Sequence, residues 1–182
     1  AIQEIANDVD GRNRFQSRIE SIYNELDDLK PSRVEFVEDF KSRTKYTTST
    51  KKKNLIRYIL ARLEQRTYPE QVAERPIDNS ISIEHILPQK PEEHWGLTEE
   101  EVESYVHLIG NLVLVGIDFN VNARNYELER KISELRESGI RTTVDLLSQI
   151  EQENPPIWTK QEIENRTNLL AEISYDELWS NR

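Results

Sequence analysis

The sequence predicts a mostly α-helical fold that contains one small β-hairpin. Glycine and proline are scarce, at 5 and 7 of 182 residues, which favours helices over turn-rich β structure. Apolar residues recur at helical spacing along most of the chain, and only two short stretches have the pattern of strands. The chain has no cysteine, so a disulfide scaffold and a cysteine-ligated zinc site are both excluded.

Three helices are predicted before residue 76, each from apolar residues spaced three or four positions apart. The first covers 14–29 and ends before Pro31, the second covers about 32–42, and the third is centred on 55–63. Their apolar positions, in order, are Ile19, Ile22, Leu26 and Leu29; Val34, Val37 and Phe40; and Leu55, Ile56, Ile59, Leu60 and Leu63.

Residues 80–137 predict a strand, a long loop, a second strand and a helix. Polar and apolar residues alternate from 80 to 84, which predicts a short strand, and Pro88 ends it. Residues 112–115 are compact and rich in β-branched side chains, so they predict a second strand that can pair antiparallel with the first. A helical pattern from 126 to 136 completes a ββα unit.

Further helices are predicted on both sides of the second strand. Thr98 and Thr159 each have a glutamate three residues later, which is the pattern of a capping box at a helix start. These boxes predict helices that run to about Tyr105 and Ile173, and another helix is predicted at 142–152.

The residues suited to catalysis all fall within the ββα unit. Glu84 precedes His85 at the end of the first strand, and Asn111 follows Gly110 at the start of the second. A glutamate can offer a hard oxygen to a divalent cation, and a histidine can accept a proton from water. Asn120 can offer a second, neutral oxygen. This order of residues is typical of a one-metal nuclease site.

Each of these residues also has an ordinary structural explanation. Glu84 and His85 can form a surface pair, and strand alternation places them on opposite faces unless the strand bends at its end. Asn111 can shape a turn and hold a loop by backbone hydrogen bonds, which would orient the histidine.

Three asparagines, Asn120, Asn122 and Asn125, lie at the entrance of the predicted helix. Each can cap that helix, but three are more than capping needs, so one of them can be a metal ligand. His94 and His107 are not spaced as zinc ligands with the histidine of the first strand.

Charge is segregated along the chain. The total of −10 argues against simple nucleic-acid binding. Residues 41–66, however, include nine basic residues and one acidic residue, a net +8, so the rest of the chain carries −18. This window can be a stripe that contacts phosphates, or a solvated, flexible linker. The candidate phosphate contacts are Lys51, Lys52, Lys53, Arg57 and Lys131, although Lys131 can equally be solvated.

Taken together, these segments resemble the HNH (His-Me finger) nuclease domain at the C-terminus of GmrSD-type restriction endonucleases. The same domain occurs in related phage-defence proteins, including those that sense phosphorothioate-modified DNA. The resemblance covers about residues 50–180, and it departs from the family at Val113, where threonine is more frequent. The matching positions are 83–89, 109–112, Asn120 and Lys131, flanked by 55–60, 158–163 and Arg166.

The resemblance implies hydrolysis of DNA phosphodiester bonds with Mg²⁺ or Mn²⁺. Glu84 takes the position of the acidic metal ligand, His85 that of the general base, Asn111 that of the loop-orienting residue, and Asn120 that of the second metal ligand. A ββα-metal core at about 80–137 is then embedded in a helical nuclease domain at 51–182.

The resemblance also implies partners. Residues 1–50 are expected to be a helical segment or linker from an N-terminal domain that uses nucleotide binding or hydrolysis for regulation. Because the chain has no Met, we expect it to be part of a longer protein. Two cuts would need two sites, so a dimer is possible. No apolar run approaches membrane-spanning length, and we expect a cytoplasmic location. The alternative function is a non-catalytic module that binds nucleic acid or a partner through 41–66.

Overall fold

The computed structural model describes residues 9–70, 81–116 and 125–178. Seven α-helices and two β-strands lie within these ranges, which confirms a mostly helical fold with a small hairpin. The helices and strands, in order, are α1 (Val9–Asp28), α2 (Arg33–Arg43), α3 (Thr50–Thr67), β1 (Ile81–His85), α4 (Glu99–Val102), β2 (Leu112–Gly116), α5 (Leu128–Arg136), α6 (Arg141–Ile150) and α7 (Lys160–Leu178). Short 3-10 turns lie at Glu93–Trp95 and Ile109–Asn111.

The predicted capping box at Thr98 is confirmed. The Thr98 side chain accepts a hydrogen bond from the Glu101 amide at 3.3 Å, and the Glu101 carboxylate accepts one from the Thr98 amide at 2.7 Å. Helix α4 nevertheless ends at Val102, earlier than predicted. At the start of α7, the Thr159 amide donates to the Glu162 carboxylate at 3.0 Å, as the second capping pattern predicts.

The N-terminal helices differ from the prediction in two respects. Val34, expected on the buried face of α2, is 74% exposed; the ring of Phe36 instead lies 5.4 Å from that of Tyr175 on α7. Helix α3 begins at Thr50, so the lysines at 51–53 belong to a regular helix and the flexible-linker explanation is wrong for them. The predicted domain division near residue 50 stays a prediction.

The hairpin is held between two helices. β1 and β2 pair antiparallel, with Ile81 opposite Gly116 and His85 opposite Leu112. One face of the hairpin shares an apolar cluster with α5, and the other shares a cluster with α3. The buried residues of these two clusters that lie on β2, α5 and α3 are Val113, Val115, Ile132 and Leu135 on the first face and Leu112, Leu114, Ile56 and Leu60 on the second. Burial of these side chains on both faces stabilises the hairpin, since each contributes about 1.5–3 kcal/mol.

A buried carboxylate connects α3 to α6. Glu64 is 1% exposed, and it accepts hydrogen bonds from the backbone amides of Arg141 at 3.2 Å and Thr142 at 2.9 Å. These amides open α6, where the helix dipole favours a negative charge. Helix α6 is therefore capped by a residue of α3. None of the described helices is long and apolar enough to cross a membrane.

The turn before β2 lies directly against α7. The Gly110 amide donates to the Thr167 hydroxyl at 3.0 Å, and the Arg166 guanidinium donates to the carbonyls of Gly110 at 2.5 Å and Leu112 at 2.8 Å. A Cβ added at Gly110 would lie 2.0 Å from the Ile163 carbonyl oxygen. Only glycine fits here, because any side chain would push α7 away from the hairpin.

We therefore predict that Gly110→Ala destabilises the protein strongly. The clash is with backbone, so α7 must move, and overpacking of this kind costs about 1–3 kcal/mol or more. Gly96→Ala is the matched control: its φ of 62° makes alanine unfavourable by about 1–2 kcal/mol, but nothing lies within 4 Å of the new Cβ. Urea unfolding should show the larger loss for Gly110→Ala; an equal or smaller loss would contradict the close packing described.

Candidate active site at the end of strand β1

Glu84 is buried beside a lysine. The carboxylate residue is 8% exposed, and its Oε1 lies 3.0 Å from Nζ of Lys131, which is completely buried on α5. The alternative of a solvated Lys131 is therefore wrong. Burial lowers the pKa of Lys131, while the charge of Glu84 acts in the opposite direction. A phosphate contact by Lys131 stays a prediction, and it would require a phosphate that reaches this ion pair.

His85 makes its contacts on the other side of the hairpin. Its ring lies 4.7 Å from the ring of Tyr46 and 5.6 Å from that of His107, nearly perpendicular to both. Strand alternation thus persists to the end of β1, and the described contacts of Glu84 and His85 lie on opposite faces. The two faces are still coupled electrostatically, because the charge of Lys131, the partner of Glu84, is one cause of the lowered pKa of His85.

The His85 ring has one nitrogen without a hydrogen-bond partner. Nε2 is buried, and no described residue hydrogen-bonds to it. Nδ1 lies 3.4 Å from the side-chain amide nitrogen of Gln89. If the Gln89 amide is turned so that its oxygen accepts a hydrogen bond from the Nδ1–H group, Nε2 carries the lone pair that a base needs.

The His85 imidazole is neutral at neutral pH. Burial, followed by the charges of His107 and Lys131, lowers its pKa to about 3. Burial also lowers the pKa of His107. The neutral form can accept a proton, but a base is most effective when its pKa lies near the working pH. A negative charge beside the ring, such as that of a phosphate, would raise the pKa.

Asn111 holds the loop that follows β1. Its side-chain oxygen accepts hydrogen bonds from the Leu87 amide at 2.8 Å and the Trp158 indole at 2.9 Å. Its side-chain nitrogen donates to the carbonyls of Leu87 at 2.8 Å and Val106 at 2.9 Å. The residue is completely buried, and these four bonds satisfy its amide. Such contacts are those that a loop-orienting residue makes.

The structure describes only some of the residues that are predicted to bind a metal ion. Asn120 and Asn122 lie outside the described residues, and Asn125 lies in a turn before α5. Among residues 9–70, 81–116 and 125–178, no three histidine, aspartate or glutamate side chains group as a metal site. Glu84 offers a buried carboxylate oxygen, the type of ligand that Mg²⁺ and Mn²⁺ bind, and in this structure that carboxylate pairs with the ammonium group of Lys131.

The lysines at the start of α3 form no ion pair within the described part of the chain. No carboxylate in the described part of the chain pairs with Lys51, Lys52 or Lys53, whereas Lys41 and Arg43 pair with acids of their own helix. Lys51 and Lys52 are exposed, and Nζ of Lys53 lies 5.4 Å from the ring centre of Tyr46. The Nε atom of Arg57 is buried, with no described hydrogen-bond partner.

Two neighbours of His85 were not predicted from the sequence. Tyr46 comes from the loop before α3, and His107 from the turn before β2. The spacing of His107 from His85 argues against a zinc site, and the sequence predicts no other role for His107. Its approach to His85 depends on the hairpin register and on a backbone hydrogen bond from the Tyr46 amide to the His107 carbonyl at 2.8 Å. No local sequence pattern signals that contact.

The sequence model of the family described as "GmrSD restriction endonucleases, C-terminal domain" matches residues 30–173. The chain belongs to this family. The resemblance inferred from the sequence is thereby confirmed, and the match includes every candidate site residue. A search of the curated proteins and a search of the solved structures returned no significant match.

Membership assigns this GmrSD C-terminal domain the coarse role of a nuclease in restriction, with DNA as its substrate. The described geometry adds a buried acid, a neutral buried histidine and a loop held by an asparagine, all at one end of a hairpin. The subtype of nuclease and its chemistry are proposals taken up below.

We predict that Lys131→Met destabilises the GmrSD C-terminal domain by about 3–5 kcal/mol, because the substitution leaves the Glu84 carboxylate buried without this cation. The double variant Glu84→Gln/Lys131→Met should be more stable than Lys131→Met alone. A double-mutant cycle by urea unfolding measures the coupling. Additive effects of the two substitutions would contradict a buried ion pair.

A second prediction concerns pH. Between the folded pKa of His85, about 3, and its ordinary value of 6.5, the unfolded chain binds a proton at His85 that the folded chain does not. The free energy of unfolding should therefore fall as the pH falls through this window, by up to about 1.4 kcal/mol per unit. His85→Gln cannot titrate, so in EDTA its stability should fall less between pH 7 and 4.5. Parallel curves would contradict the buried neutral histidine.

Proposed function

We propose that this domain is a metal-dependent DNA endonuclease of the HNH type. The observation that carries the proposal is the His85 ring: a buried, neutral imidazole with an unpartnered Nε2, next in sequence to the buried carboxylate of Glu84. Unpaired buried polar atoms are rare in folded proteins, and they often mark a reactive group. Membership of a restriction endonuclease family supplies a reaction for that group.

In the proposed reaction, His85 acts as the general base. Nε2 accepts a proton from a water molecule while the water oxygen bonds to phosphorus. The bond from phosphorus to the leaving oxygen of the DNA strand breaks on the opposite side, and that oxygen takes up a proton from solvent. A positioned base contributes about 10²–10⁴-fold to the rate of such a step. Asn111 serves as a positioning residue, because its hydrogen bonds fix the loop that follows His85.

A divalent cation, Mg²⁺ or Mn²⁺, would be held by Glu84 together with Asn120. Carboxylate and amide oxygens are hard ligands, which suit these ions better than zinc. When bound, the ion supplies positive charge that stabilises the negative charge on the phosphate. Because Glu84 pairs with Lys131 in this structure, the ion would share the carboxylate with that ammonium group or displace it.

DNA would approach along the basic start of α3. Lys51, Lys52 and Lys53 have no carboxylate partners among the described residues, and Arg57 lies one turn further along the helix. The positive end of the α3 dipole adds to their attraction for phosphates. A phosphate would make the contact predicted for Lys131 only if it reached the buried Glu84–Lys131 ion pair.

A binding module without catalysis is the second candidate, and the same unneutralised lysines favour it. That module would show salt-sensitive DNA binding without any metal-dependent product. We further propose that the domain works in the cytoplasm, under the control of an N-terminal nucleotide-dependent domain of the same protein. Paired sites in a dimer would allow both DNA strands to be cut.

The test is the conversion of supercoiled plasmid to relaxed or linear DNA with Mg²⁺ or Mn²⁺, against EDTA. His85→Ala should lower the rate by about 10²–10⁴-fold. His94→Ala is the matched control, because His94 has no described contact with His85, and it should cleave like wild type. The base assignment is wrong if His85→Ala cleaves at the wild-type rate. DNA binding without product in the full-length protein would favour the binding module.

A further inference from the structure

We infer that Lys53 and His107, both held against the ring of Tyr46, bind the phosphate of the DNA strand that His85 acts on. The inference rests on the proposed nuclease function. It adds His107 as a substrate-contacting residue, and it assigns Lys53, already a candidate phosphate contact, to the phosphate next to His85. Lys53 belongs to α3, and His107 lies in the turn before β2.

The first step of the argument is the arrangement of the three rings at the end of β1. His107 is stacked on Tyr46, with ring centres 6.1 Å apart and planes 17° apart. His85 meets both rings edge-on, at 4.7 Å from Tyr46 and 5.6 Å from His107. His107 is therefore a direct neighbour of the proposed base, and its orientation is fixed by packing and by the bond from the Tyr46 amide to its carbonyl.

The second step concerns polar atoms that lack partners. Besides Nε2 of His85, Nδ1 of His107 is buried without a hydrogen-bond partner among the described residues. Leaving a buried polar atom unpaired costs about as much as a lost hydrogen bond, so such atoms are few. Two of them in neighbouring rings indicate a site that is completed by a polar ligand. The rest of the His107 ring is only partly buried, so the ring also borders the surface.

The third step is charge. Nζ of Lys53 lies 5.4 Å from the centre of the Tyr46 ring, on the same ring that carries His107. Lys45, one residue before Tyr46, is close enough to lower the pKa of His107, and Glu103 acts in the opposite direction. No described carboxylate pairs with Lys45 or Lys53. The Tyr46 ring thus has an ammonium group and an imidazole as neighbours, and both can hydrogen-bond to a phosphodiester, the anion of the DNA backbone.

The first experiment measures binding without cleavage. The chain has three histidines, so ¹⁵N-histidine spectra can be assigned with three single variants. A short duplex oligonucleotide is titrated in EDTA. Ring signals of His85 and His107 should shift, and those of His94 should not. DNA binding that leaves the His107 signals unchanged would overturn the inference, whatever the cleavage activity.

The second experiment measures cleavage with matched variants. Lys53→Gln should lower kcat/KM by about tenfold or more, because it removes a charge-assisted hydrogen bond to phosphate. Lys160→Gln removes the same charge from another lysine near a tyrosine ring, 5.9 Å from the centre of Tyr105, and should cleave like wild type. Equal effects of the two variants would overturn the role of Lys53.

His107 is tested with His107→Phe, which keeps a stacking ring but removes both nitrogens. Loss of about tenfold in kcat/KM, with wild-type unfolding behaviour, supports a phosphate contact; partial recovery in His107→Gln would support it further. Wild-type activity of His107→Phe would show that only ring packing matters and would overturn the contact. If the full-length wild type does not cleave, the proposed function fails, and the spectra in EDTA still decide whether His107 contacts DNA.

Discussion

The buried side-chain amide of Asn111 connects three parts of the chain through hydrogen bonds. Its four hydrogen bonds reach the loop after β1, the turn before β2 and the indole of Trp158 just before α7. Each partner is itself buried or partly buried, so the loss of this one side chain would leave several polar groups unsatisfied, at about 1–3 kcal/mol each. That sum is comparable with the whole stability of a domain. The position of the loop that follows His85 depends on this amide.

The end of β1 combines features that do not favour stability. The Glu84–Lys131 pair takes two charges out of water, and buried pairs of this kind are often no more stable than apolar side chains of similar size. The ring of His85 is buried, and none of the described residues hydrogen-bonds to its Nε2. Other buried polar groups have partners: Glu64 caps α6, and Thr143 donates to the Leu114 carbonyl. The buried ion pair and the buried imidazole lie together at the end of β1, and groups of this kind are frequent at functional sites.

The parts of the structure that follow from local rules could be predicted from the sequence. Alternation of polar and apolar residues predicted β1, a compact run rich in β-branched residues predicted β2, and capping residues predicted the starts of α4 and α7. The resemblance to the family extended to the whole core. The predictions that failed concern contacts between residues that are far apart in the sequence. Lys131 looks like a surface lysine until α5 is packed on the hairpin opposite Glu84. Val34 has the spacing of a buried position, but Phe36 is the residue of α2 that packs against Tyr175 of α7. No short-range pattern brings His107 next to His85.

The distribution of charge along the chain limits where this domain can bind DNA. The total of −10 opposes the binding of a polyanion, whereas the net +8 of residues 41–66 favours it. Part of that window is neutralised within the fold, since Lys41, Arg43 and Arg66 pair with carboxylates. No described carboxylate pairs with the lysines at 51–53 at the start of α3, and Lys53 lies near the ring of Tyr46, which contacts His85. If DNA binds through these lysines as proposed, they would also orient the strand. A phosphate bound there would lie close to the buried imidazole, where its negative charge would raise the pKa of His85 towards the range in which a base works.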